Sequence, residues 1–166
     1  MKRVWLSITV LAVLATVVTA CGKKASDSAS EEMVESAMRA QGQEAEVTMD
    51  SETMQIKTDD GDMSIGEGTK LPDQWPDDVP VYKGLKLLTA MKMKEGFSIQ
   101  GTTADSQEKV TAFYKEQATK GGWTEDMVMT QPQMAMLNYS KDNRSLAVVV
   151  TAAESETSVS VSITNK

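Results

Sequence analysis

The stretch Leu85–Thr103 decides the fold and reads LKLLTAMKMKEGFSIQGTT. Leu85 and Leu87, then Met91 and Met93, recur at alternate positions with lysines between them, and this period of two predicts a β-strand. The same phase indicates that Met91 and Met93 share the core-facing side with the two leucines. A Lys-Glu-Gly turn then leads into a second alternating segment, so the stretch predicts two antiparallel strands.

A helix is predicted directly after these strands. The segment Asp105–Glu108 resembles a capping box, with an acceptor side chain and a glutamate three residues later. Val110, Phe113 and Tyr114 then recur at helical spacing and form an apolar face. The pair Gly121-Gly122 predicts a left-handed end to the helix.

Four more strands are predicted towards the carboxyl end. Their alternating or continuous apolar residues lie at 123–129, 135–139, 146–150 and 159–163. Tight polar turns between them indicate antiparallel neighbours. The predicted fold class is therefore α+β: an antiparallel sheet with one covering helix, in the order β-β-α-β-β-β-β.

The residues that precede these strands predict a meander, a loop and a tether. Residues 47–70 contain three short apolar pairs separated by acidic turns and predict a short β-meander. Residues 71–84 contain three prolines and predict a loop that wraps the body. Residues 21–46 are predicted to hold a flexible tether, with a short, weak helix around 33–38. The expected domains are thus 1–20, 21–46, 47–70 and 71–166.

The only cysteine, Cys21, follows an apolar run. Lys2 and Arg3 precede that run and Ala20 ends it, an order that resembles the signal peptide and lipobox of bacterial lipoproteins. This resemblance implies export, cleavage before Cys21 and attachment of acyl chains, of the palmitate kind, at its sulfur. Two alternatives remain open: an uncleaved anchor, because the run is barely long enough to span a bilayer, and an ordinary secretory signal.

Composition excludes several classes of function. The chain carries a net charge of −7 and has no basic cluster, which argues against nucleic acid as a partner. It has no histidine, so hydrolases built on histidine and zinc or iron sites with histidine ligands are excluded. With Cys21 acylated, no thiol is left for catalysis or a disulfide. No catalytic residue and no cofactor besides the lipid on Cys21 is predicted.

Methionine is unusually frequent, with twelve in the chain. Six lie in Met-x-Met pairs, and residues two apart on a strand share a face. Thioethers are soft ligands that suit Cu(I), so the pairs are candidate ligands for Cu(I) or Ag(I) in the periplasm; the alternative is that they fill the core. The candidate ligands are Met91, Met93, Met127, Met129, Met134 and Met136.

Residues 71–163 resemble a poorly characterised group of bacterial lipoproteins. The resemblance rests on Asp78–Tyr82 (DVPVY), on Phe113–Gln117 (FYKEQ) and on Gly122-Trp123. These motifs are structural, and the group implies no enzymatic activity. Together with the Cys21 signal, it implies a non-enzymatic envelope lipoprotein that is held in the bilayer and binds an envelope protein. Gly22 after the cysteine favours the outer membrane, facing the periplasm.

Overall fold

The computed structural model describes residues 27–40, 44–50 and 52–166. These residues form two helices and nine strands. In chain order the elements are α1 (Asp27–Ala40), β1 (Ala45–Met49), β2 (Thr53–Thr58), β3 (Gly61–Gly66), β4 (Lys86–Met93), β5 (Gly96–Thr103), α2 (Gln107–Lys120), β6 (Thr124–Gln131), β7 (Met134–Lys141), β8 (Arg144–Ala152) and β9 (Thr157–Asn165). Neither helix is long and apolar enough to cross a membrane.

All nine strands belong to one antiparallel sheet, in the order β1-β2-β3-β4-β5-β9-β8-β7-β6. The predicted α+β class with an antiparallel sheet is confirmed. The arrangement is larger than the predicted order β-β-α-β-β-β-β. The sequence left open whether the meander joins the main sheet, and the structure shows that it does, because β3 pairs with β4. A second helix, α1, occupies Asp27–Ala40 and is longer than the short helix predicted around 33–38.

The main core lies between α2 and one face of strands β4 to β9. Helix α2 packs on β6, β7 and β8, and its Val110 and Tyr114 are fully buried there. The loop 71–84 covers the neighbouring strands with Val79 and Tyr82. We call this side of the sheet the closed face and the opposite side the open face.

Both ends of α2 differ in detail from the prediction. The N-cap is Ser106, whose hydroxyl accepts a hydrogen bond from the Lys109 amide, and not Asp105. The Asp105 carboxylate is already engaged, because it accepts hydrogen bonds from the Tyr82 hydroxyl and the Lys109 ammonium. At the other end only Gly122 is left-handed, with φ of 76°. The Trp123 amide donates to Ala118 and the Gly122 amide donates to Thr119, which is the Schellman pattern.

Register shows which side chains share a face, because directly opposed residues of antiparallel strands point the same way. On the closed face, one line across the sheet runs Val128, Leu137, Val148, Val161, Ile99, Ala90, Ser64, Gln55, Thr48. The adjacent line on the open face runs Met129, Met136, Val149, Ser160, Gln100, Thr89, Ile65, Met54, Met49. The closed face is thus apolar from β6 to β4 and polar on the meander.

A bulge in β4 overturns one prediction. The β4–β5 register shifts between Leu87 and Thr89, so the alternation changes phase there. Leu87 packs against the core, but further along β4 it is Ala90 that faces the core. Met91 therefore points to the open face, and the inference that it shares the leucine side was wrong.

Candidate binding surface

The open face of strands β5 to β9 is an exposed sheet surface. Among the described residues no helix packs on it, since α2 lies on the closed face and α1 contacts β1. Its centre is polar, and the Ser98 hydroxyl lies 3.1 Å from the Ser162 hydroxyl across β5 and β9. We call this central strip the serine band. It consists of Ser98, Gln100, Ser158, Ser160 and Ser162.

Four methionines form an apolar patch beside the serine band. Met129 lies directly opposite Met136, and Met127 and Met134 lie one step away on the same side of the β6–β7 hairpin. Met127 is 48% exposed and Met129 is 41% exposed, whereas the other two are half-buried. We call these four residues the hairpin patch. Met134 and Met136 face away from Leu137, which is fully buried on the other side of the sheet, and they are less exposed than Met127 and Met129.

The six candidate metal ligands do not come together. Met91 and Met93 lie on β4, which is four strands from β7 in the sheet order. With neighbouring strands about 4.8 Å apart, this places them roughly 19 Å from the hairpin patch. Met91 instead lies opposite Met63 on the open face of the meander. Any thioether site in the hairpin patch therefore has at most four of the predicted sulfurs.

The meander carries a cleft of about 340 Å³ on the closed side of the sheet. Its floor includes Lys57, Asp62 and Lys92, which are direct neighbours on β2, β3 and β4. Residues 70–73 form one wall. Local sequence patterns do not predict this cleft, because its charged residues come from three strands that become neighbours only when the meander joins β4.

The loop 71–84, predicted to wrap the body of the domain, is largely fixed to it. The Trp75 ring NH donates to the Val79 carbonyl at 3.1 Å, and Trp75 packs edge-on against Phe97. Asp78 accepts two hydrogen bonds from Arg144, at 2.6 and 2.9 Å, and one from Lys141 at 2.7 Å. The loop therefore acts mainly as a cover for the core.

Asp78 also connects three elements electrostatically. The Arg144 guanidinium holds the pKa of its carboxyl far below the usual range, and the Lys141 ammonium adds to this effect. Lys141 donates as well to the Gly121 carbonyl at the end of α2. The Asp78 carbonyl accepts from the Trp123 ring NH at 3.0 Å. A sequence-level hint was available, since a basic turn at 141–144 was visible, but its acidic partner lies 66 residues away.

Several hydroxyl groups are buried inside the domain. The Tyr114 hydroxyl accepts from the Tyr82 amide, and burial raises the pKa of Tyr114 to about 12. The Thr111 hydroxyl and the Tyr139 hydroxyl are buried without a partner in the described part of the chain. Within that part there is also no cluster of three or more acidic, histidine or cysteine side chains suited to a metal ion. Cys21 lies outside the described residues.

Comparison with known proteins gives one likeness. Residues 85–164 match the family model described as START domain-like, which is a little under half of the chain. The matched segment begins at β4 and contains α2, the serine band and the hairpin patch. No curated protein and no solved structure matches.

Proposed function

We propose that this chain is a membrane-anchored envelope lipoprotein whose folded part is a non-enzymatic binding module. The observation that carries the proposal is the open face of β5 to β9, where a polar band lies beside exposed methionines. An apolar patch on an exposed sheet face commonly marks a binding site. Methionine side chains are flexible, so they suit a surface that adapts to the shape of a partner. An acylated Cys21 would hold this surface at the outer membrane, facing the periplasm.

The anchor is tested by metabolic labelling of the full chain with an alkyne fatty acid. The proposal expects label on the wild type and none on Cys21→Ser. An unlabelled wild-type chain in the membrane fraction would support the uncleaved-anchor alternative instead.

The binding surface is tested by photo-cross-linking in cells. A photoreactive residue at Gln100 lies exposed on the open face, and one at Ala112 lies exposed on α2 as the matched control. We expect an adduct from Gln100 and not from Ala112, and the captured protein should rebind the purified chain. Equal adducts from both positions would remove the open face as the specific surface.

A second candidate function is binding of Cu(I) or Ag(I) by the hairpin patch. It is favoured by Met129 and Met136 lying directly opposite each other, because two thioethers at that spacing can share one soft ion. The Met129 sulfur accepts a weak hydrogen bond from the side-chain amide of Gln131 at 3.6 Å. Calorimetric titration with silver should show saturable binding that Met129→Leu with Met136→Leu abolishes. Met91→Leu with Met93→Leu is the matched control and should leave binding intact.

A further inference from the structure

The two edges of the sheet are treated differently. At the β1 edge, the Glu35 carboxylate accepts a hydrogen bond from the Val47 amide at 3.1 Å, and the Glu31 carboxylate accepts one from the Met49 amide at 2.5 Å. Glu31 and Glu35 are one helical turn apart, and α1 packs along β1. An edge strand presents unpaired amides that can recruit another strand, and here the helix occupies them.

No described residue covers the β6 edge in this way. Within the described part of the chain, β6 is the last strand of the sheet and pairs with β7 alone, and it is exposed at every position except the half-buried Val128. In an antiparallel pair, alternate backbone groups point away from the partner strand, so β6 presents donors and acceptors along its outer side. At the end of the strand, the Gln131 carbonyl accepts a hydrogen bond from the Gln107 side-chain amide at 3.1 Å. This edge is therefore prepared for addition of one more strand.

The part of β6 that can pair regularly is well defined. A bulge between Glu125 and Met127 interrupts it on one side, and Pro132, which has no amide hydrogen, ends it on the other. The segment between them, residues 127–131, reads MVMTQ and carries no charge. Its central residue is Met129.

We propose that the occupant of the β6 edge is the β6 strand of a second copy of this chain, antiparallel and centred on Met129. This register sets Val128 against Thr130 and Met127 against Gln131 of the other copy. Glu125 and Asp126 lie outside the paired segment, and in the antiparallel arrangement those of the two copies lie at its opposite ends, so no like charges meet. Parallel pairing would place them at the same end.

Pairing with a second copy also gives a closed assembly, since the dimer leaves no open β6 edge for a third copy. Each copy has one open edge at β6 and one edge at β1 that α1 covers, so a two-fold pair uses both open edges. The pair forms one continuous sheet that ends at a covered β1 on each side. It also joins the two hairpin patches into one methionine surface on the open face.

The test is disulfide trapping in the full chain. In the proposed register the two copies of position 129 lie directly opposite, about 4.5–5.5 Å apart between Cα atoms, which is within the range of a disulfide. Met129→Cys should therefore give a covalent dimer under mild oxidation on a non-reducing gel. Met93→Cys is the matched control, since Met93 is 39% exposed on the internal strand β4, and the wild type shows any dimer formed through Cys21.

A second substitution distinguishes specific pairing of two β6 strands from disulfides that form by random collision of two chains. Thr130→Lys, added to Met129→Cys, places a charge on the exposed pairing edge and should remove the covalent dimer while the circular dichroism stays unchanged. The proposal is overturned if Met129→Cys gives no more dimer than Met93→Cys. It is also overturned if Thr130→Lys has no effect, or if position 129 is trapped with a different protein.

Discussion

The meander and the helix-covered part of the sheet use opposite faces for their apolar side chains. From β4 to β9 the buried apolar residues point to the closed face, where α2 and the loop 71–84 cover them. On β1 and β2 the buried residues Val47 and Ile56 belong to the open-face side. The closed side of the meander carries Lys57 and Asp62 instead. One sheet can thus hold two separate apolar clusters on opposite faces. The face that carries the buried apolar side chains changes next to β4, where a bulge shifts the alternation of side chains between the two faces.

The largest expected change in the free energy of unfolding comes from a substitution on the closed face. Leu137 is fully buried, so Leu137→Ala should lower the free energy of unfolding by about 3 kcal/mol through lost burial and a cavity. Its neighbour Met136 points to the open face, and Met136→Ala should cost less than about 1 kcal/mol. Urea unfolding of both variants checks the difference. Similar losses would mean that β7 is covered on both sides.

The next effect concerns the loop that covers the closed face. Asp78→Asn removes the charge that Arg144 and Lys141 share, and should cost about 2 kcal/mol in urea unfolding. Asp77→Asn, at an exposed neighbouring position, is the control and should cost almost nothing. A loss of the same size in the control would show that the loop responds to charge in general.

The same pair predicts a pH dependence. Because the pKa of Asp78 is lowered in the folded chain, its stabilising effect is complete above the ordinary carboxyl pKa of about 4. The effect is lost as the pH falls through the lowered folded value. Below pH 4 the wild type should therefore lose stability more steeply than Asp78→Asn. If the free energies of unfolding of the two proteins fell in parallel below pH 4, the ion pair of Asp78 with Arg144 and Lys141 would not contribute to stability.

A smaller and local effect is expected in the meander. Gly61 has φ of 152°, and an added Cβ would lie 2.1 Å from the Lys92 carbonyl oxygen. Gly61→Ala should therefore weaken the pairing of β3 with β4 by on the order of 1–2 kcal/mol. Hydrogen exchange should become faster in β1 to β3 and remain unchanged in β8 and β9. Faster exchange throughout the sheet would mean that the two parts unfold as one unit.

The smallest expected effect is a gain. The Thr111 hydroxyl is buried on α2 without a partner among the described residues, so Thr111→Val should raise the free energy of unfolding by up to about 1 kcal/mol. Thr119→Val is the control, because the Thr119 hydroxyl is exposed and donates to the Lys115 carbonyl. A loss of stability in Thr111→Val would show that its hydroxyl has a partner in solution.

Local patterns predicted most of the helix-covered part. The alternation in β5, β7 and β9, the face of α2 and the three strands of the meander were all readable, because each depends on neighbours a few residues apart. The sequence did not reveal the β4 bulge, since Leu85, Leu87, Met91 and Met93 look like one uninterrupted series. Nor did it show that β3 pairs with β4 across the loop 71–84, or that α1 covers β1. Those features depend on contacts between distant segments.

The candidate surface was predictable only in part. The Met-x-Met spacing correctly indicated that each pair shares a face. The distance between the β4 pair and the hairpin patch depends on the strand order, which places β9 and β8 between β5 and β7. That order cannot be read from spacing alone.

The change of phase at β4 is tested most directly by comparing two adjacent positions, Ala90→Cys and Met91→Cys, for maleimide labelling in the native chain. Ala90 is 4% exposed on the closed face, whereas Met91 is half-buried on the open face. Labelling is located by mass spectrometry, which separates it from Cys21. The account predicts that the thiol at position 91 reacts readily and the thiol at position 90 resists. Fast reaction at position 90 with protection at position 91 would contradict it, because β4 would then keep the phase of Leu85 and Leu87.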